Sequence, residues 1–210
     1  MEPALLTERE PMTSIAIRKN VFISFLVTGF FLLAMAGTLP AQEVVLVLDP
    51  AQTRIDFSLG DILHTVHGTF EVKQGIIHVN PATGAASGLV VVDATSGESG
   101  NGTRDRKMHK EILESQKYPE ITITPVRIQG QLALQGASQV EMKGLFKIHG
   151  TEHEITMKVA VQIEADSLTA ATHFVVPYVQ WGMKNPSTFI LRVSDKVEID
   201  IHAAGRLEHP

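Results

Sequence analysis

The chain has 210 residues, 44% of them hydrophobic, which is enough for one sizeable folded domain. It contains no cysteine, so disulfides, a thiol nucleophile and Cys-ligated metal sites are excluded. The formal net charge is −5, and it stays −5 when residues 1–41 are left out. Because nucleic-acid binding requires a net basic surface, we expect no nucleic-acid partner.

Residues 1–41 are predicted to be a signal peptide. Arg18 and Lys19 precede an uncharged apolar run over residues 21–33, and Ala34 and Ala36 are small residues of the kind that a signal peptidase reads. We predict cleavage after residue 36 or after residue 41, and a periplasmic or secreted protein. The apolar run can be extended to residue 39, close to the roughly 20 residues of a membrane span, so a retained anchor is the alternative.

Residues 42–210 form the predicted folded domain, in which the hydrophobic period is close to two. The alternating or short apolar segments are residues 53–59, 66–72, 89–93, 120–124, 140–148, 154–163 and 197–203. Gly, Pro, Asn and Asp residues of the kind that form turns separate many of these segments. Strands with one polar and one apolar face, joined by short hairpins, form an antiparallel sheet. About eight of them in one domain close into a barrel or form a sandwich.

The side chains on the apolar faces decide whether such a barrel is filled or hollow. Most are medium-sized, with glycine at positions 68 and 144. A barrel of about eight strands holds one small or elongated ligand if some inner side chains are small. A barrel filled by its own side chains is the alternative. The inner residues that we expect to contact a ligand are Phe57, Phe70, Ile121, Phe146 and Phe174.

One helical pattern interrupts the strands, in the segment SGNGTRDRKMHKEILESQKYPEITI over residues 99–123. Met108 and Ile112 lie four positions apart and therefore on one helix face. Asn101 or Thr103 suits the N-cap, and residues 118–119, Tyr-Pro, are expected to end the helix. A lone basic helix in an all-β chain predicts a lid over one end of the barrel.

The basic residues of this helix indicate an anionic head group at the barrel mouth, since guanidinium and ammonium groups bind phosphate and carboxylate. Arg104 is the favoured member because we expect it in the loop before the helix, whereas Lys107 should matter little if it lies on the solvated side. His64 and His109 are further head-group candidates. The alternative is a solvated helix face, balanced by Asp105, Glu111 and Glu114.

Nine histidines raise the alternative of a metal site or metalloenzyme at the barrel mouth. Neutral imidazoles bind zinc, copper or nickel. Residues three apart in a strand point to opposite faces, so His64 and His67 converge only at a bulge. His149 and His153 flank a turn and converge more easily. Because strand-end histidines are common without a metal, we favour a protein with no metal, no cofactor and no catalytic residue.

Five segments of the chain resemble the YceI-like family of exported bacterial proteins. They are LDPAQTRIDFSLG, HTVHGTFEV, SGNGTRD followed by YPEITI, KGLFKIHGTEHEITMKV and LRVSDKVEIDI. The resemblance spans roughly residues 43–205. It implies an all-β, lipocalin-like closed antiparallel barrel of about eight strands with one short helix lid. It also implies a carrier, not an enzyme, that holds a polyisoprenoid or another long-chain amphipathic lipid. A homodimer and a loose association with the membrane surface stay open.

Overall fold

The computed structural model describes residues 43–61, 64–188 and 192–208, and the predicted signal peptide lies outside them. The described residues contain nine strands in one antiparallel sheet. The strands are β1 (Val44–Leu48), β2 (Arg54–Gly60), β3 (Thr65–Val79), β4 (Ala86–Glu98), β5 (Glu120–Gln129), β6 (Gly136–Ile148), β7 (Thr151–Glu164), β8 (Ser167–Val176) and β9 (Val197–Glu208). From β3 the sheet runs through β2, β9, β8, β7, β6, β5 and β4, and the pairing of β3 with β4 closes it into a barrel.

Strands β1 and β2 occupy one position of the barrel, because both pair with β3 on one side and β9 on the other. A turn between them breaks the strand. The carbonyl of Asp49 accepts the Thr53 N–H at 2.9 Å, and the Asp49 carboxylate accepts the Ala51 N–H at 2.9 Å. The barrel therefore has eight strand positions, and the predicted closed antiparallel barrel of about eight strands is confirmed.

The strand register places the predicted apolar faces inside the barrel. Phe146 pairs with His153 and Met142 pairs with Met157 between β6 and β7, so these four side chains share the inner face. Strand β6 alternates between buried inner residues and more exposed outer residues over almost its whole length. The alternation in the sequence thus becomes an apolar interior and a polar exterior.

The inner glycines, Gly68 and Gly144, do not leave empty space in the barrel, contrary to what their small size suggests. They allow neighbouring backbone and side-chain atoms to approach the strand closely. A Cβ atom on Gly68 would lie 2.3 Å from the Phe57 ring and 2.2 Å from the carbonyl oxygen of Glu98. A Cβ atom on Gly144 would lie 2.5 Å from the carbonyl oxygen of Thr124. The Phe57 ring therefore crosses directly over β3.

The end of the barrel that carries β1 contains a cluster of buried apolar side chains. Its buried cluster includes Val44, Val79 and Ile163, which are 0–1% exposed, together with Leu168 and Leu207. A second buried cluster occupies the other half of the interior, and the partly buried Met108 and Ile112 pack against it. Among the described residues, no helix is both long enough and apolar enough to cross a membrane.

A short helical segment lies between β4 and β5. Helix α1 (Gly102–Lys107) continues directly into a π-helical turn, Met108–Ile112. The carboxamide oxygen of Asn101 accepts the N–H groups of Thr103 and Arg104, each at 3.1 Å, so Asn101 is the N-cap. The expected position of Arg104 in the preceding loop is wrong, because the cap places Arg104 within α1.

The helical segment ends earlier than residues 118–119, where the sequence predicts its end. The Ser115 N–H donates to the carbonyl of His109 at 3.0 Å, and the Ser115 side chain is hydrogen-bonded to the His109 ring at 3.0 Å. Glu114 adopts a left-handed backbone conformation with φ of 47°. These contacts turn the chain toward β5 and bury Leu113.

Candidate functional site: an apolar cavity beneath the helix

A cavity of about 550 Å³ occupies the half of the barrel interior that faces the helical segment. Its volume lies within the roughly 300–1,000 Å³ that is typical of small-molecule sites. Inward residues of β2, β3, β4, β5, β6, β8 and β9 form its walls, and Met108 and Ile112 contribute from the π-helical turn. The predicted pairing of Met108 and Ile112 on one face is confirmed, and that face lies against the cavity.

All five residues predicted on the inner face line this cavity. They are Phe57, Phe70, Ile121, Phe146 and Phe174. The rings of Phe57 and Phe70 lie 5.4 Å apart, and those of Phe146 and Phe174 lie 5.7 Å apart in an edge-to-face arrangement. Aromatic pairs at these separations hold each other in place. The wall is therefore apolar and largely preformed.

The segment that follows β8 forms another part of the cavity wall. Tyr178 and Met183 are buried and line the cavity, and the Tyr178 hydroxyl donates to the carbonyl of Ser194 at 2.6 Å. Burial, with a smaller contribution from the Asp195 carboxylate, raises the pKa of Tyr178 to about 12. Tyr178 is therefore a neutral hydrogen-bond donor at physiological pH, and it fixes this segment to the chain before β9.

Trp181 is partly buried and packs against the core cluster beside the cavity wall. Its ring is stacked on the His153 ring, with centroids 4.0 Å apart and an interplanar angle of 3°, and its centroid lies 5.9 Å from that of Phe146. The Nε2 atom of His153 is buried without a hydrogen-bond partner. Burial lowers the pKa of His153 because it disfavours the charged imidazolium. The stack fastens the segment after β8 to β7.

The three predicted head-group residues have different positions. His64 and Arg104 line the cavity at its polar end, near the start of α1. His109 is absent from the cavity wall, contrary to its predicted role. One of its ring nitrogens is hydrogen-bonded to the carbonyl of Gly97 at 2.8 Å and the other to the Ser115 hydroxyl at 3.0 Å. Its contacts therefore connect the helical segment to β4.

Lys107, which was expected to matter little if it lay on the solvated side, lines the cavity. It is half-buried, and its ammonium group donates to the carbonyl of Pro186 at 3.4 Å. Sequence spacing misses this residue because the neighbouring basic residues, Arg106 and Lys110, do face solvent. Only the position of the segment after β8 shows which basic residue of the helix faces the cavity.

A smaller apolar chamber of about 120 Å³ lies deeper in the barrel. Three isoleucines line both spaces and therefore stand between them: Ile55, Ile123 and Ile201. Below them, Met142 and Met157 contribute to the chamber wall. The interior is thus a main cavity that narrows toward a small closed end.

The histidines considered as metal ligands are dispersed, each with its own neighbours. Within residues 43–61, 64–188 and 192–208, no group of three His, Cys, Asp or Glu residues is placed to hold a metal ion. His67 is hydrogen-bonded to Ser58 at 2.9 Å, and His149 lies 3.6 Å from the Glu114 carboxylate. His153 is stacked on Trp181, as described above.

Comparison with known proteins places this barrel in a family. A family model described as the YceI-like domain matches residues 46–204. BcnA from Burkholderia cenocepacia is 18% identical, with a TM-score of 0.62 over 75% of this chain and 98% of that chain. A polyisoprenoid binding domain from Saccharophagus degradans is also 18% identical, with a TM-score of 0.61 over 79% of this chain and 98% of that chain.

The YCEI protein from Campylobacter jejuni is 17% identical, with a TM-score of 0.52 over 63% of this chain and 79% of that chain. At these identities the three structures show a shared fold. No curated protein sequence matches the chain.

Proposed function

The chain belongs to the YceI-like domain family, and on that premise we propose that it is an exported carrier of a polyisoprenoid or similar long-chain amphipathic lipid. The observation that carries the proposal is the preformed apolar cavity of about 550 Å³ inside the barrel. The likeness to a polyisoprenoid binding domain supports the same class of ligand.

The physical chemistry of the wall suits an apolar chain. Burial of each methylene group contributes about 0.8 kcal/mol, so a chain of several isoprene units binds with few polar contacts. The Phe and Ile side chains around the cavity supply that burial. Binding, and not bond making or breaking, is what this wall favours.

Two adjacent residues of β8 provide a matched test. Phe174 is buried and lines the cavity, whereas its neighbour Val175 is 46% exposed on the outer face. Phe174→Asp places a carboxylate in the apolar wall, and Val175→Asp places the same group in water. We expect Phe174→Asp to lose binding of geranylgeraniol, and Val175→Asp to bind it as the unmodified protein does.

Circular dichroism and thermal denaturation must accompany the binding measurement, since a buried carboxylate in Phe174→Asp also destabilises the folded protein. Phe174→Leu is the companion variant, because it keeps an apolar wall and is expected to retain binding. A folded Phe174→Asp protein that binds geranylgeraniol unchanged would contradict the proposal. So would an unmodified protein that does not bind it.

Export is a separate part of the proposal, supported by the basic pair Arg18-Lys19, the apolar run that follows and the small residues Ala34 and Ala36. We propose a periplasmic or secreted mature protein that begins at Gly37 or Gln42. N-terminal sequencing of the protein from its native cells tests the cleavage. An intact N-terminus in the membrane fraction would indicate a retained anchor instead.

A further inference from the structure

The polar end of the cavity carries both signs of charge. The charged and titratable residues in the described part of the wall include two cations, Arg104 and Lys107, one carboxylate, Asp61, and one histidine, His64. The Asp61 side chain is 5% exposed, and its carboxylate accepts the backbone N–H of His64 at 2.9 Å. Its Oδ1 atom also lies 3.4 Å from Nδ1 of His64. His64 is therefore a close neighbour of Asp61.

The guanidinium of Arg104, in α1, is hydrogen-bonded to Ser99, which precedes the helix. Its Nε donates to the Ser99 hydroxyl at 2.7 Å, and its Nη2 donates to the Ser99 carbonyl at 2.8 Å. The Ser99 hydroxyl is in turn hydrogen-bonded to the Asp105 carboxylate. This network joins the end of β4 to α1, so Arg104 holds the helix in position.

The ammonium group of Lys107 makes fewer and weaker hydrogen bonds than the Arg104 guanidinium does. Its hydrogen bond to the Pro186 carbonyl is long, at 3.4 Å, and among the described residues no carboxylate lies within 4 Å of it. Glu111 lies near enough for Lys107 to contribute to lowering its pKa, but the main cause of that shift is the hydrogen bond from Lys184 at 3.1 Å. Lys107 therefore keeps donors available beside an apolar space.

A half-buried lysine that lines an apolar cavity is suited to a ligand with one charged end. We propose that Lys107 binds the anionic head group, a phosphate or a carboxylate, of a lipid whose chain fills the cavity. The inference rests on the proposed carrier function and adds the chemistry of the head group. A charge-assisted hydrogen bond at such a position changes affinity by about tenfold or more.

The test compares ligands that share one chain and differ only at the head. Geranylgeraniol, geranylgeranoic acid and geranylgeranyl phosphate are titrated into the unmodified protein, Lys107→Met and Lys110→Met. Lys110 is the matched control, because it lies three residues further along the same helical segment and is exposed. Methionine keeps an unbranched apolar side chain and removes the charge.

We expect the unmodified protein and Lys110→Met to bind at least one of the two anionic ligands about tenfold or more tightly than the alcohol. Lys107→Met should lose that preference and keep its affinity for the alcohol within about twofold. The anion that is preferred distinguishes a phosphate from a carboxylate head.

Two results would overturn the inference while leaving the carrier function intact. One is equal binding of all three ligands by the unmodified protein, and the other is an anion preference that survives in Lys107→Met. Failure of the unmodified protein to bind any of the three ligands would instead contradict the carrier function, and the head-group inference with it.

Discussion

Replacement of His153 by phenylalanine is expected to stabilise the protein. The buried Nε2 atom of His153 has no hydrogen-bond partner, and an unsatisfied buried polar atom costs about 1–3 kcal/mol. Phenylalanine removes that atom and keeps a flat ring against Trp181, where the present centroid distance is 4.0 Å. Since the larger ring must fit the same space, we expect a net gain of about 1 kcal/mol in the free energy of unfolding near pH 7.5.

The same substitution should also change the pH dependence of stability. Burial lowers the pKa of His153, so the unfolded chain binds the proton more readily than the folded protein does. Above the unfolded pKa of about 6.5, His153 is neutral in both states, so its ionisation does not reduce the free energy of unfolding. As the pH falls from there through the lower folded pKa, the unfolded chain takes up the proton first and the free energy of unfolding decreases. The stability difference between His153→Phe and the unmodified protein should thus widen from pH 7.5 to pH 5.

Urea denaturation followed by circular dichroism at several pH values measures both effects, with His202→Phe as the control at an exposed position of β9. Substitutions at such positions usually change stability by less than about 0.5 kcal/mol. The reasoning is refuted if His153→Phe is less stable than the unmodified protein at pH 7.5. It is also refuted if the difference between the two proteins does not change with pH.

Three further predictions follow from close contacts in the barrel. Gly68→Ala should destabilise the protein by about 1–3 kcal/mol in thermal denaturation, because its Cβ atom would meet backbone and the Phe57 ring; an unchanged midpoint would contradict this. Asn101→Ala removes the N-cap of α1 and should cost about 1 kcal/mol in urea denaturation, whereas an unchanged stability would show that the cap is dispensable. Ile123→Ala should join the two chambers, so longer prenyl alcohols should gain affinity relative to shorter ones; an unchanged chain-length preference would argue against this.

Seven of the nine strands in the described residues contain a segment predicted from alternation or from a short apolar run, whereas β1 and β8 do not. Strand β1 is an unbroken apolar run, VVLVL, and carries no period of two. In β8 the inner positions include Ala170 and Thr172, which are too small or too polar to stand out against the outer face. The pattern disappears wherever the interior accepts small or hydroxylated side chains, and pairing with neighbouring strands then decides the structure.

The candidate site divides in a similar way. The inner aromatic residues follow from alternation alone, because strand geometry fixes the face of each residue. The roles of Arg104 and Lys107 do not follow from alternation. Arg104 depends on its contact with Ser99, and Lys107 depends on Pro186, which is 79 residues away in the chain. The position of His109 likewise depends on contacts with β4 that helical spacing does not encode.

Carriage of an amphipathic lipid inside the barrel can be observed in a native mass spectrum of the protein, isolated without detergent from the cells that make it. We expect a mass above that of the polypeptide, with an excess that organic extraction removes and that fragmentation identifies as an isoprenoid or related lipid. A spectrum with only the polypeptide mass, from a protein that also takes up no prenyl lipid when one is supplied, would contradict lipid carriage.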